Sequence, residues 1–297
     1  YLWLCIMALP LGLGAGSVDA ALNNFVALHY EAKHMSWLHC FWGIGATAGP
    51  VLLSLFLGFA HGWKLGIRAI SLLQGALVIL LVLTLPLWKR AAATTAMEES
   101  TTAPPLSNRA ALRLPGLPFA LLTFCCYCGA ELCCGLWASS FLVGVKGVDT
   151  ARAAAWVSLY YGGITVGRLL SGFVMTKISC AHMIRLGGTV ALCGSALLLL
   201  PLQAELSMVG LVVIGLGCAP VYPCMIHETP ARFGKENSQV AMGLQMAVAY
   251  VGSTLLPPLF GILAQQISVA LFPLFLLFLF AAMLFASEVL QRRVQPL

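Results

Sequence analysis

Two carboxylic acids in this sequence lie inside long apolar segments, where ionisable side chains are rare. Asp19 is near the centre of residues 11–30, LGLGAGSVDAALNNFVALHY, and Glu131 is near the centre of FCCYCGAELCCGLWASS. A bilayer is spanned by about 20 apolar residues, so Asp19 is expected near mid-depth, where a charge is costly and marks an ion or substrate path. We therefore interpret both acids as proton-coupling groups. The alternative for each is a structural role in helix packing.

The composition places these acids in a polytopic membrane protein. Of the 297 residues, 60% are hydrophobic and 9% are charged, and the mean hydropathy is +0.94. A soluble domain of this size does not carry so apolar a surface. The net charge of +6 comes from basic residues scattered among short loops. This pattern favours contact with anionic lipid headgroups of the bilayer and argues against a nucleic-acid partner.

The eleven cysteines do not indicate a metal centre or a disulfide framework. Nearly all of them fall inside apolar runs, and the sequence lacks a CxxC pair with a matching second pair or with histidines at ligand spacing. It also lacks an HExxH motif and a nucleophile paired with a histidine at a suitable depth. We therefore expect no metal, no cofactor and no enzymatic activity.

Apolar runs separated by short charged or Pro/Gly loops predict an all-α fold with nine membrane-spanning helices. The one long connection, residues 89–116, is polar, rich in Ala, Thr and Ser, and contains a Pro-Pro pair. We interpret it as a linker between a partial N-terminal bundle of three helices, residues 1–88, and a C-terminal bundle of six helices, residues 117–297. The spans are expected at about 1–30, 36–60, 66–88, 117–145, 152–178, 183–201, 206–228, 238–264 and 269–290.

The basic residues of the loops predict the orientation in the membrane. One set of alternating loops, together with the C-terminus, holds eleven Lys and Arg residues, whereas the opposite set holds only Lys64, Arg68, Lys146 and Arg152. Cytoplasmic loops carry the excess of Lys and Arg, so the linker and the C-terminus are predicted to be cytoplasmic, in the cell membrane.

An internal repeat supplies a helix count for the whole protein. The segment GLGAGSVDAALNNF from Gly12 aligns with GLGCAPVYPCMIHE from Gly215, which places Asp19 opposite Tyr222. Further on, GIGATAGPVL aligns with AYVGSTLLPPL at nearly the same offset, and both copies enter the membrane from the same side. If each half has six helices, three are absent upstream. The first residue is also not methionine, so we expect a fragment that lacks its N-terminal part.

At these segments the sequence resembles a known family. The run VDAALNNF followed by HMSWLHCFWGIGATAGP resembles the fourth and fifth helices of the fucose permease-like branch of the major facilitator superfamily. GLGCAPVYPCMIHETPARFG is similar to the tenth helix of that branch and the loop after it, and GGITVGRLLSGF to its eighth. The resemblance implies a two-bundle transporter that works by alternating access. It also implies symport of a proton with a monosaccharide or related polar metabolite, with Asp19 matching the family's acid on the fourth helix.

A sugar site needs amides or carboxylates for the hydroxyl groups and flat aromatic faces for the C–H surface of the ring. Asn23 lies one helical turn from Asp19 on the same helix face. Uncharged amides at mid-depth usually serve a function or bind a neighbouring helix, and aromatic side chains are more often core or interface residues. The predicted substrate-binding residues are Asn23, Asn24, His39, Trp42, Trp137, Tyr160, Gln245 and Tyr250.

Two basic residues are predicted to act in gating. Arg168 is the only cation well inside a predicted span, and it either pairs with Glu131 or an acid upstream, or lies close enough to the cytoplasmic end to brace a gate. The superfamily's latch motif, GxLxDRxG, is replaced here by GFVMTKIS from Gly172, so that Thr176 stands in place of the acid and Lys177 follows it. We therefore expect a weak cytoplasmic lock in this half.

The sequence admits three functions. The first is a proton-coupled sugar symporter, acting as a monomer, and the second is a facilitator or exporter of amphipathic compounds in which Asp19 only selects for cations. The third, an intramembrane enzyme, is disfavoured because the sequence lacks its motifs.

Overall fold

The computed structural model describes residues 2–56, 62–87, 106–201 and 203–294, and within these ranges the secondary structure is helical and contains no strand. The predicted all-α membrane fold is confirmed. The helices are α1 Leu2–His29, α2 Ala32–Phe56, α3 Gly62–Leu83, α4 Asn108–Ala111, α5 Leu117–Lys146, α6 Thr150–Val174, α7 Cys180–Leu199, α8 Ala204–Cys218, α9 Val221–His227, α10 Thr229–Phe233, α11 Lys235–Gln266 and α12 Phe272–Arg293, with a 3-10 turn at Val269–Leu271.

Each of the nine predicted spans contains a long helical segment among the described residues. Seven of these segments are both long and apolar enough to cross a membrane, with α8 and α9 together counted as one. The other two, α2 and α6, have 25 residues each. The end of the second predicted span, at 57–60, and most of the predicted linker lie outside the described residues.

Proline and threonine set two boundaries that hydropathy did not predict. The run predicted as one span over 206–228 is divided at Ala219–Pro220, because proline has no N–H to donate and its ring crowds the preceding turn. The helix predicted to reach residue 178 ends at Val174 instead. The Thr176 hydroxyl donates to the carbonyl oxygen of Phe173 at 2.7 Å, and such a bond competes with the helical pattern.

The chain forms two compact units. The first comprises Tyr1–Cys40 and Pro105–Leu297, and the second comprises Phe41–Pro104. The first unit therefore contains α1, the first turns of α2 and the whole of the predicted C-terminal bundle. The predicted domain boundaries at residues 88 and 116 stay a prediction.

Glycines allow the helices of the first unit to approach closely. A Cβ added at Gly163 on α6 would lie 3.0 Å from the carbonyl oxygen of Val212 on α8. On α7, a Cβ added at Gly194 would lie 2.8 Å from the carbonyl oxygen of Gly210 on α8. Close packing at small residues promotes the association of membrane-spanning helices, and α6, α7 and α8 therefore form a tight group within the first unit.

Candidate functional site

Asp19 on α1 is bonded to α11, a helix from the opposite end of the sequence. Its Oδ1 accepts a hydrogen bond from Asn23 Nδ2 at 2.8 Å, one turn along α1. Its Oδ2 accepts a second bond, at 3.1 Å, from the hydroxyl of Tyr250 on α11. A carboxylate in an apolar region needs such donors, because an unpaired charge there is costly. The predicted groups Asp19, Asn23 and Tyr250 are thus brought together.

His39 joins this group from α2. Its Nε2 lies 3.1 Å from Asn23 Oδ1, and Asn23 itself is only 1% exposed. The imidazole ring packs edge-on against Tyr222 of α9, with 4.8 Å between the ring centroids. Asp19, Asn23, His39 and Tyr250 therefore form one polar cluster, which we call the Asp19 cluster.

Glu131 pairs with Arg168. Arg168 Nη2 lies 3.6 Å from Glu131 Oε1, and their side chains are only 4% and 17% exposed. Arg168 Nη1 also lies 3.4 Å from the carbonyl oxygen of His39. Of the two alternatives that the sequence left for Arg168, the structure shows the ion pair with Glu131 on α5. Burial makes this pair sensitive to the loss of either member, because the other charge would be left uncompensated.

An aromatic wall stands beside the Asp19 cluster. The ring of Tyr222 on α9 lies 5.3 Å from the ring of Phe124 and 6.3 Å from that of Tyr127, both on α5. The Tyr127 hydroxyl donates to the carbonyl oxygen of Cys218 at 2.9 Å. Tyr222 and Phe124 were not among the predicted site residues. The internal repeat, which places Tyr222 opposite Asp19, was the signal that could have identified Tyr222.

Five other predicted substrate-binding residues are not members of the Asp19 cluster. Trp42 belongs to the second unit and is 58% exposed. Trp137 Nε1 donates to the carbonyl oxygen of Pro257 at 3.0 Å, and the Tyr160 hydroxyl donates to the carbonyl oxygen of Glu131 at 2.9 Å. Gln245 Oε1 accepts from the Thr229 hydroxyl, and Asn24 Oδ1 accepts from the Ser238 hydroxyl, both at 2.8 Å.

Small polar side chains join the start of α2 to the end of α6. The Ser36 hydroxyl donates to the carbonyl oxygen of Arg168 at 2.6 Å and lies 2.8 Å from the Ser171 hydroxyl. Trp37 Nε1 donates to the carbonyl oxygen of Leu169 at 3.3 Å, and the Trp37 ring contacts Phe173. We call this contact the α2–α6 crossing. Lys177, predicted to act in gating, is exposed just beyond the end of α6.

An ion pair lies in the connection between α9 and α11, outside the membrane-spanning helices. Glu228 pairs with Arg232, and both side chains are largely buried. Burial raises the pKa of the Glu228 carboxyl above its ordinary value, against the opposing effect of the Arg232 guanidinium and the backbone N–H of Ala181. Burial also lowers the pKa of Arg232. Burial thus disfavours the charged form of each group, whereas the pairing favours it.

The described residues contain no group of three or more His, Cys, Asp or Glu side chains placed to hold a metal ion. The chemistry that the arrangement offers is proton exchange at two carboxyls and hydrogen bonding to a polar solute, beside an aromatic wall and within a bundle of membrane-spanning helices. Such a combination is typical of membrane transport proteins.

The comparison with protein families agrees with this class. Residues 1–227 match the Major Facilitator Superfamily, and the chain belongs to that family. Relatives that it matches are named as transporters, which disfavours the intramembrane enzyme. The predicted membership of this superfamily is confirmed.

Individual relatives are distant in sequence. The chain is 27% identical over 297 residues to the uncharacterized transporter y4wD of Sinorhizobium fredii, covering 94% of this chain and 72% of that protein. It is 24% identical over 273 residues to the glucose/mannose transporter GlcP of Bacillus subtilis, covering 87% and 65%. Across the curated relatives that it matches, the chain spans 59% to 72% of their length.

A solved structure shares the fold. The crystal structure of the transporter FucP in the outward conformation superposes with a TM-score of 0.72 at 17% identity, covering 93% of this chain and 73% of FucP. At this identity the match shows the fold alone, and it agrees with the resemblance of the sequence to the fucose permease-like branch.

Proposed function

We propose that the protein is a secondary transporter that moves a monosaccharide together with a proton by alternating access. The observation that carries the proposal is the position of Asp19. Its two carboxylate oxygens are bound by Asn23 on its own helix and by Tyr250 on α11. A relative is named a glucose/mannose transporter, which supports a sugar as the substrate.

Protonation of Asp19 is the step that couples the proton gradient to the movement of the sugar. As a carboxylate, Asp19 accepts charge-assisted hydrogen bonds, which are stronger than neutral ones. Protonation removes the charge, weakens the bonds that join α1 to α11, and lowers the cost of moving this carboxyl through the membrane interior. A proton bound from one side therefore favours the rearrangement that exposes the site to the other side.

The substrate is a neutral, polyhydroxylated ring. The Asp19 carboxylate, which Asn23 holds in place, offers acceptors for adjacent hydroxyl groups, and the Tyr222 ring offers a flat face for the C–H surface of the sugar. His39 and Tyr250 complete the polar side of the site. The predicted contributions of Asn24, Trp42, Trp137, Tyr160 and Gln245 to substrate binding stay part of the proposal.

The orientation follows from the basic residues. One side of the first unit carries the α1–α2 connection, the C-terminal end of α6 and the start of α11. This side faces the cytoplasm, because it holds the excess of Lys and Arg. The α2–α6 crossing is then the cytoplasmic gate, with Arg168 behind it and Lys177 at its mouth. The protein acts as a monomer in the cell membrane.

Uptake by reconstituted protein tests the proposal. The full chain is placed in lipid vesicles with an imposed pH gradient, and accumulation of labelled glucose is measured. We expect accumulation by the wild type, loss of accumulation in Asp19→Asn, and no change in Asp149→Asn, which alters an exposed acid at the start of α6.

Two outcomes would overturn the coupling mechanism. Normal accumulation by Asp19→Asn would show that this carboxyl does not carry the proton. Equilibration of glucose without accumulation in the wild type would indicate a facilitator, the alternative that the sequence left open.

A further inference from the structure

We infer that the transported proton binds to Oδ2 of Asp19, and that Tyr250 then turns its hydroxyl hydrogen from Asp19 toward the substrate. The inference rests on the proposed function, in which Asp19 takes up a proton. It goes beyond that function because it assigns the proton to one of the two carboxylate oxygens and makes Tyr250 the group that passes the change to the sugar.

The two oxygens of the Asp19 carboxylate have partners of different kinds. Oδ1 accepts from the side-chain amide of Asn23 at 2.8 Å, and Oδ2 accepts from the Tyr250 hydroxyl at 3.1 Å. Within the described part of the chain, the carboxylate has no other hydrogen-bond partner. An amide nitrogen only donates, whereas a tyrosine hydroxyl can donate or accept. Only the partner of Oδ2 can therefore change from donor to acceptor.

The orientation of the Asn23 amide does not depend on the charge of Asp19. Asn23 Nδ2 also donates to the backbone carbonyl oxygen of Asp19 at 2.9 Å, and this oxygen accepts in either protonation state of the side chain. On the other side of the amide, Asn23 Oδ1 lies 3.1 Å from His39 Nε2, so an N–H of His39 faces it. Reversal of the amide would break both bonds in a side chain that is only 1% exposed. The nitrogen of Asn23 therefore stays toward Oδ1.

A proton is more stable on Oδ2 than on Oδ1. On Oδ1 it would weaken the acceptor that Asn23 uses, and it would have no acceptor of its own among the described residues. An unsatisfied donor in an apolar region is costly. On Oδ2 the proton is donated to the oxygen of Tyr250, once the hydroxyl hydrogen of Tyr250 turns away. Asp19 then keeps both partners, because Oδ1 still accepts from Asn23 and Oδ2–H donates to Tyr250.

The accessibility of Tyr250 gives its hydrogen a new partner. Tyr250 is 52% exposed, whereas Asn23 on the Oδ1 side is buried. The Oδ2 side of the carboxylate is thus the side that a proton and a sugar can reach. The hydrogen that turns away from Asp19 is donated to a hydroxyl oxygen of the sugar. Protonation of Asp19 therefore adds one hydrogen bond between the protein and its substrate.

The other titratable and charged groups around this site belong to four helices. They are His39 on α2, Cys128 on α5, Arg168 on α6 and Tyr222 on α9. Among the described residues, none of these four bonds to the Asp19 carboxylate. A reversal of the Tyr250 bond therefore reports on the protonation of Asp19 itself.

Infrared difference spectroscopy of the purified full chain, without substrate, tests the assignment of the proton. The phenol C–O stretch of a tyrosine moves to lower wavenumber when its hydroxyl changes from donor to acceptor. The Tyr250 band is identified by its loss in Tyr250→Phe. We expect this band to move to lower wavenumber in the wild type as the pH is lowered. In Asp19→Asn it should stay in place, because the carboxamide N–H permanently replaces Oδ2–H.

Two asparagine variants test why the proton selects Oδ2. Asn23→Leu removes the donor from Oδ1, so the proton is no longer restricted to Oδ2 and the shift of the Tyr250 band should become smaller. Asn237→Leu is the matched control, because Asn237 Nδ2 likewise donates to a backbone carbonyl four residues earlier and to a carboxylate, that of Glu236. It should shift as the wild type does. A Tyr250 band that does not move in the wild type, or an undiminished shift in Asn23→Leu, would overturn the inference.

Binding of glucose to the purified protein tests the transfer of the hydrogen to the sugar. We expect the wild type to bind glucose about fivefold more tightly when Asp19 is protonated, and Asp19→Asn to bind it equally at both pH values. Tyr250→Phe should lose the difference, whereas Tyr30→Phe, at an exposed tyrosine, should keep it. An undiminished difference in Tyr250→Phe would overturn this step.

Failure of the inference is distinct from failure of the proposed function. A Tyr250 band that does not move leaves the uptake test with Asp19→Asn unaffected. Absence of glucose binding in the wild type would overturn the transfer to this sugar together with the proposed substrate. The infrared result would still decide which oxygen of Asp19 holds the proton.

Discussion

The carboxylate of Asp19 and the hydroxyl of Tyr250 lie 3.1 Å apart, although 231 residues separate them in the sequence. The bond joins α1 to α11, and the second oxygen of the same carboxylate is held by Asn23. The acid is thus shared between two helices that, in the proposed alternating-access cycle, move relative to one another. This relationship makes Tyr250 the most direct target for testing the site.

Removal of the Tyr250 hydroxyl is expected to weaken sugar binding. Tyr250→Phe keeps the ring but deletes the donor to Asp19, and hydrogen bonds to charged groups contribute about 1.5 to 3 kcal/mol. We expect the KM of glucose uptake to rise by about tenfold, because 1.4 kcal/mol corresponds to that factor. Tyr30→Phe serves as the control, since Tyr30 is 50% exposed on the α1–α2 connection. An unchanged KM in Tyr250→Phe would contradict the assignment.

The buried ion pair is expected to matter far more for stability than an exposed one. Glu131→Gln leaves the charge of Arg168 buried without its partner, which costs about 3 kcal/mol in comparable cases. Glu288→Gln, at the exposed pair with Arg185, is expected to cost less than about 1 kcal/mol. The free energy of unfolding, measured by denaturant titration in detergent, distinguishes the two. Equal losses would show that burial does not amplify the effect of the Glu131 pair.

A methyl group at Gly172 is expected to open the α2–α6 crossing. A Cβ at this position would collide with the indole nitrogen of Trp37. Overpacking of this kind costs about 1 to 3 kcal/mol. The test uses a variant in which Cys40, which is 6% exposed behind the crossing, is the only cysteine. In this variant, Gly172→Ala should raise the rate of thiol labelling of Cys40 by about tenfold.

Gly162→Ala is the matched control for the crossing. Gly162 lies on the same helix, and a Cβ added there would have no neighbour within 4 Å. If the two alanine variants label Cys40 at the same rate, the crossing does not limit access to it.

Glu228 is expected to make stability fall as the pH rises. Burial raises its pKa above the ordinary value of 4.5, so the folded protein binds this proton more tightly than the unfolded chain. The free energy of unfolding therefore decreases as the pH rises from 4.5 through the raised pKa. Glu228→Gln should flatten this part of the Tm profile. Glu205→Gln, at an exposed acid, should leave the profile unchanged, and an unaltered slope in Glu228→Gln would refute the assignment.

The sequence was sufficient to predict the long helical segments and to single out Asp19 and Glu131 as acids within them. Hydropathy predicts helical segments over tens of residues, and a lone acid in such a segment is visible without coordinates. The pairing of Arg168 with Glu131 was one of two options, because burial and helix rotation together decide whether an arginine reaches a neighbour or the membrane surface. The break at Pro220 was missed because hydropathy averages over it.

The sequence did not show how each helix is rotated about its own axis, and therefore which neighbour each side chain faces. Trp137, Tyr160 and Gln245 are of suitable types for sugar binding, yet each turns its polar atom toward a partner in a neighbouring helix or connection. Conversely, the contact between Asn23 and His39 depends on how α1 and α2 pack against one another. One residue type predicts what a side chain can bind, and only the packing determines what it does bind.

At the α2–α6 crossing, Ser36, Ser171 and Trp37 bind through uncharged hydroxyl, indole and backbone carbonyl groups. Dissolved electrolyte screens attraction between ions but has little effect on bonds between neutral dipoles in a buried contact. Ser36 and Ser171 can therefore release and re-form their bonds at the same rate in dilute and in concentrated salt. A closure of this kind would keep its speed through changes in cellular ionic strength that would loosen an ionic lock.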